Sequence, residues 1–323
     1  MLVIAILGFV FAAIFFVPDP AWAWGPATHM SLALAALDKL SVLKPTLYAL
    51  LNTHMADYLY GCISSDILLG KRFARYQNHC HNWDVGRKLL KEATSPKQEA
   101  FALGYLSHLA ADTVSHNFFV PSQIILNFAR RTVRHLYWEL RFDALMDDQL
   151  WQLAKEVIRR VHRDHDQLLR KTLAKTSIHF VTGQQVLRGY LMLSHVKHWQ
   201  RLIPSYSIKS NQELPAKSVA DYHDSSLNAV VELLTLGQRA SCLKLDPTGR
   251  LSLARAKQLR RTLRRSLRET NFGDIVGRGQ SSSPTRAPSS CPEDLLGPAK
   301  LGRPLLSNLH KSIKDRISHL LLG

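Results

Sequence analysis

Between residues 102 and 122 the chain reads ALGYLSHLAADTVSHNFFVPS, an apolar run interrupted by His108, Asp112 and His116 at a spacing of four. A helix turns about 100° per residue, so successive members of this series advance only about 40° and share one face. Apolar neighbours on both sides, Ala110 and Ala111 before and Phe118, Phe119 and Val120 after, send several ionisable groups toward a core. Burying such groups is costly unless they pair or bind a metal. Imidazole nitrogen and carboxylate oxygen both suit zinc, so the series reads as a ridge of metal ligands. A second ridge with the same spacing follows at His135-Leu-Tyr-Trp-Glu139, and upstream stand Asp66 in GCISSDILLGK and the cluster His79-Cys80-His81-Asn82-Trp83.

The rest of the chain can bury such a face. Apolar residues recur at spacings of three and four in SLALAALDKL, from Glu99 to Ala111 and from Leu150 to Leu173, and sustained alternation is absent. That periodicity predicts an all-α fold, with 177–181 a short, isolated strand candidate. At 323 residues and 46% hydrophobic content, disorder is excluded and the chain is long enough for one large or two ordinary domains. Four cysteines, Cys62, Cys80, Cys242 and Cys291, are too few for a disulfide scaffold, although Cys62 and Cys80 are open to pairing in an oxidising compartment.

Residues 1–17 carry no charged side chain and lead through PDPAWA to Trp24. The apolar run, about 16 residues, falls short of the roughly 20 that a spanning helix needs, and Ala21-Trp22-Ala23 has the small-x-small pattern of a signal-peptidase site. Residues 1–23 are therefore expected to be a signal peptide, with an uncleaved anchor as the alternative because no Lys or Arg precedes the run. Cleavage would deliver an extracytoplasmic chain, periplasmic or secreted, beginning at Trp24. A free α-amine and its carbonyl oxygen can chelate a metal, with His29 of Trp24-Gly-Pro-Ala-Thr-His29 as a third ligand.

Taken in order, the N-terminal Trp, His, Asp, His, the helix with His-x-x-x-Asp and a further His, and then His-x-x-x-Glu form a set that resembles the zinc-dependent phospholipases C. These share a helical trinuclear-zinc fold with the single-strand-specific zinc nucleases. The resemblance spans roughly residues 24–143 and implies a multi-helix bundle, with three zinc ions as cofactor. Trp24 (amine and carbonyl) and His29 would hold one ion, Asp66, His81 and His108 a second, with Asp112 bridging these two, and His116, His135 and Glu139 the third. His79 competes with His81, and Asp57 with Asp66. His81 is preferred for the similarity of its His-Asn-Trp-Asp turn, and Asp66 because it follows Gly-x-x-x-x-Asp-Ile. The implied activity is phosphoester hydrolysis by a water that zinc deprotonates, with Asp66 and Asp112 at the catalytic centre.

Departures from the pattern bear on substrate. The Asp112 to His116 spacing is closer to that of the glycosylphosphatidylinositol-specific phospholipase D than to the secreted bacterial phospholipases. The five-residue step from Trp24 to His29 looks like the nuclease opening, yet the nuclease segment Asn-Leu-His-x-x-Trp-Asp is absent. The acidic residue that contacts choline in some relatives is also missing, which leaves the headgroup open.

The formal charge of +17 is concentrated behind this region, since residues 250–323 hold 15 Lys+Arg against 5 Asp+Glu. After a helical domain at 24–249, residues 250–276 form a basic amphipathic segment with a Leu253, Ala256, Leu259, Leu263, Leu267 stripe. Residues 277–304 are a Gly/Ser/Pro-rich linker, and 305–323 a C-terminal amphipathic helix. The basic segment either lies on anionic lipid or packs its leucines on the core. Nucleic acid is a weaker partner than a phospholipid or membrane surface, because aromatics for base stacking are not interleaved. His162, Asp164, His165 and Asp166 follow Arg159-Arg160 and are expected on a solvated face. The leading expectation is an extracytoplasmic zinc-dependent phospholipase C. A zinc nuclease or phosphatase of the same fold, and a non-catalytic membrane-binding relative, are the alternatives.

Overall fold

The computed structural model describes residues 24–67, 80–128, 135–160, 162–173 and 214–277. The signal segment, His79, the strand candidate at 177–181, Cys291, the linker and the C-terminal amphipathic helix lie outside these residues. Among the described residues every regular element is helical and no strand occurs, as the periodicity predicts. No helix among them is long and apolar enough to cross a membrane.

The first helix, α1 (Pro26–Leu43), starts on a proline, whose missing N–H costs nothing in a first turn. Gly25 cannot cap it, and Asp143 does so from afar: Thr28 donates to Asp143 Oδ1 through its backbone N–H at 2.7 Å and its hydroxyl at 2.8 Å. Short helices α2 (Pro45–Thr53) and α3 (Met55–Ser64) follow, and α3 runs into a 3-10 turn at Ser65–Ile67. Helix α4 (Trp83–Glu92) is capped by Asn82, which accepts from the Asp84 N–H at 3.0 Å.

Helix α5 (Pro96–Val114) is the centre of the fold. It begins at a Ser95 cap, with the Gln98 side chain accepting from the Thr94 N–H at 2.9 Å, and is buried almost continuously from Ala100 to Val114. Helices α1, α3, α4 and α10 (Ala216–Leu236) pack around it. The α3–α5 crossing is the tightest, because Gly61 and Gly104 face each other. A Cβ on either would run into the backbone of the opposite helix, at Phe101 O for Gly61 and Tyr58 O for Gly104.

Beyond α5 the chain makes a π-helical turn, Ser115–Phe119, and continues into α6 (Val120–Leu126). Then come α7 (His135–Asp143), α8 (Asp148–Arg159) and α9 (Arg163–Thr172). The single helical run expected over Leu150 to Leu173 is broken at Arg160, whose backbone is extended, and His162 starts the next helix. The last described helix, α11 (Arg250–Gly277), lies against α6 and the π turn. Leu253 and Ala256 are buried there, whereas Leu259 and Leu267 are 40% and 41% exposed. The leucine stripe thus divides, its first turns packed and the rest open.

Candidate metal centre

Two buried groups of imidazoles and carboxylates lie side by side where α1, α3, α5, the π turn and α7 meet. In the first, Asp112 is the hub. Its Oδ2 lies 3.0 Å from both His81 Nε2 and His108 Nε2, and its Oδ1 lies 3.4 Å from His29 Nε2. Asp66 Oδ1 closes the group at 3.4 Å from His81 Nε2 and 4.0 Å from His108 Nε2. His29 stacks on His108 with ring centroids 3.9 Å apart. The second group is His116, His135 and Glu139, with Glu139 Oε1 at 2.5 Å from His135 Nε2 and 3.6 Å from His116 Nε2. His81 and His116 face each other across the two groups, centroids 6.4 Å apart.

The local folding explains the split. His108 and Asp112 share a face of α5, as a spacing of four requires, but His116 lies on the π turn, where the Val120 N–H bonds to Ser115 O, five residues back. The wider turn takes His116 off the α5 ridge and places it with His135 and Glu139, a spacing-four pair on α7. The face that the spacing predicts divides at the π turn, and His116 stands with His135 and Glu139 as the resemblance implies.

The tautomers follow from the acceptors around the rings. His108 Nδ1 donates to the Cys62 carbonyl at 2.8 Å and His116 Nδ1 to the Pro247 carbonyl at 2.5 Å. A carbonyl oxygen can only accept, so in each neutral ring Nδ1 carries the proton and Nε2 presents a lone pair inward. Burial pushes the His29 imidazole down, the His108 ring adding to it, and so favours the neutral, ligating form. Burial by itself would raise Asp112, but the surrounding imidazoles, His108 foremost, hold it well below the usual carboxylate range. Both Asp112 oxygens and His29 Nε2 are buried with no hydrogen-bond partner. Imidazole nitrogens and carboxylate oxygens converging in a buried space are the donor set of a cation, and nitrogen with carboxylate oxygen suits zinc.

Trp24 is wholly buried and clamped beside this centre. Its indole N–H is shared between Ala111 O and Ser226 Oγ, each 3.1 Å away, and its ring packs on Phe142 at 4.2 Å between centroids. Since Ala111 precedes Asp112, the clamp holds the start of the described chain next to the Asp112 carboxylate. Of the sequence candidates, His29, Asp66, His81, His108 and Asp112 meet in one cluster and His116, His135 and Glu139 in the other. Asp57, the competitor of Asp66, lies elsewhere, 2.6 Å from His165.

Other readings are corrected. His162 and His165 are buried, at 9% and 4% exposure, because α9 turns them inward against Tyr60 and Phe101, while Asp164 faces solvent. Cys62 and Cys80 are buried and are not joined in a disulfide. The supports missed at sequence level are Asp143 and the turn Asp246-Pro247-Thr248-Gly249. Asp246 O accepts from Asn117 Nδ2 at 2.9 Å, and Gly249, at φ +56°, touches the His116 backbone where a Cβ would collide. An Asp-Pro-Thr-Gly turn is legible as a turn, but nothing in it tells which histidine it will hold.

A helical fold whose buried centre assembles five histidines and three carboxylates from separate elements has the make-up of a helical metalloprotein. The profile of the family described as zinc dependent phospholipase C matches residues 28–200, more than half of the chain, and the chain belongs to that family. Searches of curated proteins and of solved structures found no match. The family is zinc-dependent and hydrolytic, and the buried His/Asp clusters fit zinc binding.

Proposed function

We propose that the protein is an extracytoplasmic phospholipase C that cleaves the phosphodiester of a glycerophospholipid on the glycerol side of phosphorus, working as a chain processed to begin at Trp24. The observation that carries this reading is the Asp112 carboxylate, buried and without a hydrogen-bond partner on either oxygen amid His29, His81 and His108. Trp24 and His29 would hold one zinc, Asp66, His81 and His108 a second bridged to it by Asp112, and His116, His135 and Glu139 a third. When bound, zinc supplies Lewis acidity that lowers the pKa of water toward neutrality and neutralises charge on phosphate and leaving alkoxide.

The chain's own groups do the rest. Asp112, ionised throughout the neutral range, keeps two ligand sets in register. Asp66, 5% exposed at the edge of the cluster, accepts a proton from the attacking water and passes it to solvent. The carbonyls of Cys62 and Pro247 hold the His108 and His116 rings in the tautomers that point Nε2 inward. The exposed basic face of α11, with Arg255, Lys257, Arg261 and Arg265, lies on anionic lipid and brings the centre to its substrate.

Turnover of phosphatidylcholine vesicles against single-stranded DNA tests the reading. Diacylglycerol release, abolished by chelator and restored by zinc, is the expected result, and Asp112→Asn lowers it by about two orders of magnitude or more. DNA cleavage without lipid turnover would assign the fold to a nuclease instead.

A further inference from the structure

A third cluster lies apart from the metal centre and shares no residue with it. Asp57 in the first turn of α3, His162 at the start of α9 and His165 one turn into α9 place one ligand atom each within 4.8 Å of one another. His165 Nε2 contacts Asp57 Oδ1 at 2.6 Å. His162 donates through Nε2 to the Val157 carbonyl at 2.7 Å, so its Nδ1 carries the lone pair in the neutral ring. His165 Nδ1 is buried with no hydrogen-bond partner.

Aromatic rings hold both imidazoles in place. Tyr60 stacks on His162 with centroids 3.7 Å apart, and Phe101 stacks on His165 at 4.7 Å. The two imidazoles are 5.9 Å apart between centroids and inclined by 28°. Asp57 is 19% exposed, which gives an ion a route from solvent. Burial pushes His162 toward its neutral form, and Asp57 is held ionised by His165 against the opposing effect of its own burial.

We propose that Asp57, His162 and His165 hold an additional divalent transition-metal ion of the zinc class, which staples α9 to α3 independently of the catalytic centre. Two imidazoles and a carboxylate are a sufficient donor set for such an ion and leave a coordination position for water. The ion would be structural in effect. Helix α3 carries Cys62, whose carbonyl orients His108, and leads into the turn bearing Asp66, so fixing its first turn steadies two supports of the main centre.

The test is the metal content of the full chain after zinc loading and gel filtration, by mass spectrometry. Wild type is compared with His165→Ala on α9 and Asp57→Asn on α3, with circular dichroism to establish native helix content in each. The expected result is one zinc equivalent fewer per chain in either folded variant than in wild type. Asp112→Asn, by contrast, should lose ions of the main centre and keep this one. Cobalt(II) titration of chelator-treated wild type and Asp57→Asn, read by visible absorption, gives the same difference of one equivalent even if His165→Ala does not fold. Unchanged metal stoichiometry in Asp57→Asn overturns the proposal, whatever its melting temperature. A fall in Tm with equal metal content would reduce the cluster to a hydrogen-bonded pair and overturn it equally.

Discussion

His223 shows how a single buried imidazole writes itself into stability. It lies on α10, with Nε2 3.0 Å from Ser31 Oγ, and burial lowers its pKa to about 4. A base with a folded pKa below its unfolded value of about 6.5 is neutral in the fold. Its contribution is therefore intact above pH 6.5 and lost as pH falls through about 4. The span corresponds to about 3 kcal/mol, so urea unfolding of wild type and His223→Gln should diverge by roughly that amount between pH 6.5 and 4, the variant showing the flatter curve. All other groups are common to both proteins and cancel in the difference. At this scale much was legible beforehand: His108, Asp112, His135 and Glu139 announced themselves by spacing, because a repeat of four on an apolar helix leaves ionisable groups no exit to water. His162 and His165 were misread, since neighbouring charges cannot tell which side of a short helix faces the core.

At the level of elements, the centre depends on two close approaches of backbone. Gly104 lets α5 touch α3, and the contact sets the Cys62 carbonyl on His108 Nδ1 at 2.8 Å. Gly104→Ala must push the helices apart, with an expected cost of about 1–3 kcal/mol in chemical denaturation and weaker zinc retention against a chelator. Gly249 combines φ +56° with contact against the His116 backbone. Gly249→Ala is expected to cost about 1–3 kcal/mol and to lower zinc occupancy, because the Pro247 carbonyl moves off His116. Neither role was readable from the chain. A glycine in a helix and a glycine in a turn look alike in sequence, whether they face solvent or another backbone. The π turn is likewise a tertiary choice, since the same residues would satisfy a regular helix.

At the scale of the whole molecule, metal binding and folding are linked. Ions that bind the folded chain and not the unfolded one stabilise it by mass action, about 4 kcal/mol at a thousandfold excess over Kd, so chelation should lower Tm by several degrees. If the processed amine of Trp24 is a ligand, a chain made with one extra residue before Trp24 should bind fewer zinc ions than the processed chain by metal analysis. It should keep its helix content, because the indole clamp on Ala111 and Ser226 does not use the amine. The sequence alone determined the helical class and the inventory of candidate ligands, since period and the cost of burying ionisable groups are local properties of the chain. Only the tertiary structure decided the surroundings of those candidates: which carbonyls orient His108 and His116, which backbones close on each other at Gly104 and Gly249, and that α9 turns its histidines inward. Those choices rest on contacts between residues tens to hundreds of positions apart, where packing selects among faces that the local sequence leaves equivalent.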